Sequence, residues 1–115
     1  MLLASPAAAG DALWTFFEAR CLVPYEHIAL PDTRDLIRLD GTDIWEGDRF
    51  ALVLTVTSCA AVGGAGDDLS ALLSGRDEYD LQDDGAWQST TWREPRIEVV
   101  SGPYGYAVVE TDLES

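Results

Sequence analysis

The order of local patterns along the chain predicts an α+β fold, a mostly antiparallel sheet with an N-terminal helix and a second short helix packed on it. Three observations carry this reading. Apolar side chains recur at helical spacing near the start, "RFALVLTVTS" alternates as a strand with two nearly apolar faces, and "RIEVVSGPYGYAVVETDL" has the form of a closing hairpin. At 115 residues the chain suits one domain with a single core, residues 1–115, and no internal repeat, linker or low-complexity tract divides it.

Helix one is expected over residues 6–22. Ser5 stands at the N-cap and Pro6 at the first helical position, Leu13, Phe17 and Cys21 share one face with Trp14 on its flank, and Pro24 should end the helix. In "YEHIALP" Tyr25, His27 and Ala29 alternate against Glu26, Ile28 and Leu30, which reads as a short strand closed by Pro31. Residues 34–39 read as another strand, with turns near Gly41 and Gly47. Phe50, Leu52, Leu54 and Val56 fall on one face of the next strand and Ala51, Val53, Thr55 and Thr57 on the other. That is the pattern of a central strand covered on at least one side by helix.

From Ser58 the residues become small. The expectation is a loop followed by a short helix from Asp67 to Leu73, or one longer helix weakened by Gly63, Gly64 and Gly66, each costing about 1 kcal/mol against Ala. Asp67 and Asp68 suit its first turn and Gly75 its close. Tyr79 and Leu81 begin a strand, Asp84-Gly85 turns it, and Trp87 to Trp92 is extended. In the final hairpin Ile97 and Val99 alternate with Glu98, and Ala107, Val109 and Thr111 with Tyr106, Val108 and Glu110.

Charge narrows the function classes. Twenty-one acids face seven bases, every base is Arg, and the net charge is -14. Such a chain has no basic stripe with which to displace counterions, so phosphate-mediated binding of DNA or RNA is not expected. Three readings of the acidity stay open: a salt-adapted or high-GC source, an acidic inhibitor steered to a basic partner, and a subunit of an assembly with a negative inner face. The two cysteines, Cys21 and Cys59, make no disulfide framework and read as reduced core residues, a single bridge between them being the alternative. The start "MLLASPAAAG" lacks a basic region and is not expected to be a signal peptide, and no stretch reaches the roughly 18 apolar residues of a membrane span. A soluble protein, intracellular or part of a particle assembled inside a cell, is the expectation.

No catalytic set emerges, and an enzyme is not expected. His27 is the only histidine; pairing it with Cys59 as base and nucleophile is a geometric possibility, against the simpler reading of Cys59 as a buried residue at a strand end. Ser58 lacks the surroundings of a nucleophile elbow. No metal is expected, since one His and two distant Cys lack zinc spacing, and "DLQDDG" has Thr91 where a calcium loop requires a bidentate Glu. "GGAG" is followed by aspartates rather than by Lys and Ser, so no phosphate loop and no cofactor is expected either.

The four Trp and four Tyr are conspicuous. Trp45, Trp87, Trp92 and Tyr104 sit in polar, turn-like contexts, and Arg93 and Arg96 flank Trp92. Some of these aromatics cap the core; on loops, aromatics and Arg are also the usual anchors of protein–protein interfaces. These six are the candidate interface residues.

The element order also resembles a family. An N-terminal helix leads through an extended segment to "IALPD", "RFALVLTVTS" runs into an alanine-rich helix ending "LSALLSG", and a Trp-containing strand precedes "RIEVVSG…YGYAVVETDL". This is similar to the small tail terminator or tail completion proteins of long-tailed phages and gene transfer agents. The resemblance implies an α+β subunit of a homo-oligomeric ring, typically a hexamer, that stops tail-tube growth and joins the tail to the head connector. It implies tail-tube and connector proteins as partners, a place in the virion neck after assembly in the host cytoplasm, and no catalytic residues. The glycines at 63–66 depart from it by weakening the helix the family places there. An acidic inhibitor, a toxin-neutralising immunity protein or a nucleic-acid mimic, is the alternative. A single dense patch of Asp77, Glu78, Asp80, Asp83 and Asp84 would favour it, and acids spread around the subunit would favour the ring.

Overall fold

The computed structural model describes residues 6–27, 29–56, 58–63, 69, 72–89, 96–101 and 107–112. Helix α1 (Pro6–Phe17) runs without a break into a π-helical turn (Glu18–Leu22) and then α2 (Val23–Glu26). Leu13, Phe17 and Cys21, spaced one turn apart, are buried, and Trp14 beside them is nearly so. Pro24 does not end the helix as expected. Its missing N–H strands the carbonyl of Arg20, and the backbone N–H of Asp32 takes that carbonyl at 2.9 Å. The π turn, in which Val23 N–H bonds Glu18 O, sets Pro24 in the first turn of α2, where a proline is tolerated. Tyr25 and Glu26 are therefore helical, and the strand expected in "YEHIALP" does not form.

Among the described residues eight strands follow: β1 (Ile37–Arg38), β2 (Ile44–Glu46), β3 (Ala51–Leu54), β4 (Ser58–Val62), β5 (Tyr79–Leu81), β6 (Trp87–Ser89), β7 (Arg96–Ser101) and β8 (Ala107–Asp112). They form one antiparallel sheet in the order β1-β2-β3-β4-β8-β7-β6-β5. The α+β class is thus the observed one. The strand expected at 34–39 shrinks to β1, because residues 34 and 35 turn and Asp35 takes a left-handed φ of 67°. The Asp-Gly turns stand as expected, Gly41 at φ 73° and Gly85 at φ 92°.

The small-residue stretch after Ser58 is not a loop. It is β4, which pairs with β3 through Ala51↔Val62 and Leu54↔Cys59, and with β8 through Ala61↔Val109. Cys59, Ala60 and Ala61 are buried there, and small side chains let the helical layer lie close across the sheet. Helical residues 69 and 72–74 come next, with Leu69 and Leu73 fully buried. The rest of the helix expected at 67–73 lies outside the described residues.

The sheet consists of two four-stranded meanders, β1–β4 and β5–β8, joined along β4 and β8. Each strand of the first half has its counterpart four places on, an equivalence that the sequence reading did not anticipate. "RDLIRLDGTDIW" (34–45) and "RDEYDLQDDGAW" (76–87) open the two halves with Arg-Asp, a leucine, an Asp-Gly turn and a Trp. Registers put Trp45, Leu52, Cys59 and Ala61 on the same face as Ile97 and Trp87, and this face meets Leu13, Phe17 and Cys21 in one core. Cys21 and Cys59 are joined by a disulfide across these layers, correcting the expectation of reduced thiols: the buried stripe of the π turn lies directly over β4.

Candidate functional site

The helical segment and two loops enclose an open groove of about 610 Å³. Ala12, Thr15, Phe16 and Arg20 form one wall; Asp35 and Leu36 ahead of β1, and Gly47, Asp48, Arg49 and Phe50 between β2 and β3, form the other. Its floor is aromatic, the Phe16 and Phe50 rings lying 5.4 Å apart. Phe50 is gripped by backbone. A Cβ at Gly47 would come within 3.0 Å of the Phe50 carbonyl oxygen, and one at Gly63, where φ is +123°, would come within 3.0 Å of the ring itself.

The two arginines differ in role. Arg20 donates to the carbonyls of Asp32 (3.2 Å) and Arg34, pairs with the Asp32 carboxylate at 3.5 Å, and lies over the Phe16 ring. It fixes the segment that leads from α2 to β1. Arg49 is exposed, rests over Phe50 at 5.2 Å, and makes no ion pair among the described residues. With Asp35 and Asp48 it gives an apolar notch a charged rim. Among the described residues no His, Cys or Ser lines the groove.

The Cys59–His27 pairing is excluded by geometry. Cys59 Sγ is bonded to Cys21, whereas His27 is exposed at the end of α2 and donates through Nδ1 to the Val23 carbonyl at 2.8 Å. Among the described residues no three potential ligands converge on a metal position, and no helix is long and apolar enough to cross a membrane.

The candidate interface residues do not converge. Trp87 is 7 % exposed and belongs to the core, packed on the second strand of its meander, so it is withdrawn from the surface set. Trp45, its counterpart on β2, is half-buried against the core with the Arg38 guanidinium 6.0 Å from its ring. Arg96 begins β7 and pairs with Asp84 at 2.6 Å; that hydrogen bond, with the backbone N–H of Ala86, holds the Asp84 carboxyl below its usual range. Trp92, Arg93 and Tyr104 lie outside the described residues. The sequence reading missed Ile37 and Leu81, 72 % and 60 % exposed on the two outermost strands. Their signal was present: each is an aliphatic residue on a short strand just ahead of an Asp-Gly turn.

Compared with protein-family models, curated proteins and solved structures, the chain finds no match in any of the three.

Proposed function

We propose that this protein is a structural assembly subunit of a phage-like tail, one copy of a ring that terminates the tail tube and joins it to the head connector. The observation that supports this best is the open sheet: both outer strands, β1 and β5, are short, unpaired among the described residues, and carry an exposed aliphatic side chain. Every open sheet leaves two edges, and a ring of copies is an arrangement that covers both. The element order adds the resemblance to tail terminators, and the disulfide suits a particle that persists outside a reducing cytoplasm. In this reading the neck of the virion is its place, and a negative channel would keep passing DNA from sticking.

Light scattering of the purified chain at low and high salt tests the reading, together with binding to tail-tube and connector proteins. A multimer of defined size, or capture on either partner, is expected. A monomer at every salt with no affinity for tube or connector would overturn it.

One observation favours a second reading. Asp77, Glu78, Asp80, Asp83 and Asp84 gather on β5 and its flanking turns, which suits an inhibitor of a basic protein. Other acids, among them Asp35, Asp40, Asp43, Glu46 and Asp48, occupy the opposite end of the sheet, so the charge is not confined to one patch. A monomer that binds a basic nuclease in a one-to-one complex would decide for the inhibitor.

A further inference from the structure

We infer that β1 of one copy docks antiparallel on β5 of the next, carrying the sheet across the junction between subunits. This rests on the assembly reading and gives it a surface.

The backbone supplies the first argument. Leu39 N–H donates to Ile44 O at 3.0 Å, and Gln82 N–H donates to Ala86 O at 2.7 Å. In an antiparallel ladder, residues that bond their neighbour alternate with residues that do not. Ile37 and Leu39 on one edge, and Asp80 and Gln82 on the other, therefore turn their backbone groups inward. Arg38 and Leu81 turn theirs outward, ready for a further strand.

Direction is the second. With eight antiparallel strands in the sheet, β1 and β5 run in opposite senses. A copy added head to tail in the same orientation then brings β5 against β1 antiparallel, and the ladder continues without a break.

Charge is the third, and it selects the pairing. Arg38 is exposed on β1, bonds Thr42 O through Nε, and makes no ion pair among the described residues. Its counterpart in the second half of the sequence is Asp80, exposed on β5, with Asp83 and Asp84 in the following turn. Pairing β1 with β1 through its outward residue sets Arg38 against Arg38, and pairing β5 with β5 brings two copies of the acidic segment 77–84 side by side. Pairing β1 with β5 removes the Arg38–Arg38 contact and gives Arg38 an acidic neighbour, while Asp35 and Asp40 also flank β1. The association is heterologous, the kind that closes into a ring when the rotation between copies permits. Matching the two outward residues, Arg38 with Leu81, puts the guanidinium one diagonal step from Asp83 of the second copy.

The test is solution mass against concentration, at fixed moderate salt, for the wild type, Arg38→Glu, Asp83→Arg and the double variant. Both side chains concerned, Arg38 and Asp83, are exposed, and circular dichroism checks the fold. Each single change is expected to raise the concentration needed for association at least about tenfold, and the double variant to recover most of it. Leu81→Pro provides a separate arm: it removes an outward N–H without taking a bond from the β5–β6 ladder, and should abolish association in a folded chain. Multimers indifferent to all of these overturn the β1–β5 junction and leave the ring reading standing on other surfaces. A wild type that is monomeric at every concentration overturns the junction, and if it also ignores tube and connector proteins the assembly reading falls with it. A monomer that binds a basic protein through residues 80–84 assigns the acidic edge to the inhibitor instead.

Discussion

At the scale of single residues, the segment leading from α2 to β1 hangs on Asp32. Its carboxylate accepts hydrogen bonds from Arg34 N–H at 3.0 Å, Nε at 3.0 Å and the terminal guanidinium nitrogen at 2.8 Å, with Arg20 at 3.5 Å beyond them. The Arg34 side chain, then its backbone N–H, bring the carboxyl from 3.8 down to about 2. A carboxyl depressed in the folded state contributes stability that is present above its unfolded value and lost as pH falls through its folded value. The contribution of Asp32 is therefore intact at neutral pH and disappears between about pH 4 and about pH 2. In urea unfolding, Asp32→Asn should lie below the wild type at pH 7 and converge with it by pH 2; a gap of constant size over that range would show that the charge is irrelevant. The site was unevenly legible at this scale. Aromatics were visible as aromatics, but only their neighbours decide that Trp87 is core and that Trp45 has an arginine on its face.

At the scale of elements, sequence periodicity located what it is built from. α1, β5 and the paired β7 and β8 carry clear spacing or alternation and formed where expected, whereas β3 stops at Leu54, short of the strand expected over 50–57, and leaves Val56 exposed. β4 did not announce itself, because Ser-Cys-Ala-Ala-Val offers little contrast between its faces and is followed by glycines that mimic a loop. Its partner β8 is distant in sequence, so no local pattern could reveal the pairing. The helix past Pro24 was hidden for a similar reason: the bond that releases the proline comes from Asp32, a residue outside the helix. The disulfide follows from these two elements together. Cys21 on the π turn and Cys59 on β4 close a loop with a sequence separation of 38, for which chain entropy predicts roughly 4 kcal/mol of stabilisation. Reduction, or the Cys21→Ala, Cys59→Ala double variant, should lower the unfolding free energy by about 3–4 kcal/mol. An unchanged urea midpoint with and without reductant would remove the bond from the account of stability.

At the scale of the whole molecule, the charge of -14 sets the terms of both folding and assembly. The sheet order brings Asp35, Asp40, Asp43, Glu46 and Asp48 to one end and Asp77, Glu78, Asp80, Asp83 and Asp84 to the other, an arrangement that composition alone does not disclose. Ion pairs among the described residues engage Asp32 twice, Glu78 and Asp84, each with solvent access. Exposed pairs of this kind contribute about 0–1 kcal/mol each. Self-repulsion of the surplus acids opposes them, and salt weakens both. Repulsion acts over many separated charges and is screened as the Debye length contracts from about 30 Å at 0.01 M to about 10 Å at 0.1 M, while contact pairs are screened less. Added sodium chloride should therefore stabilise the monomer, raising its melting temperature by roughly 4–8 °C if screening returns about 1 kcal/mol. Most of that rise should come below about 0.3 M, where the screening length falls under the spacing of the acids. A melting temperature that falls over the same range would mean that the ion pairs outweigh the repulsion. The head-to-tail junction adds a second signature: past the point where the monomer's curve flattens, any further rise should depend on protein concentration, since screening of one subunit's acids does not and association does.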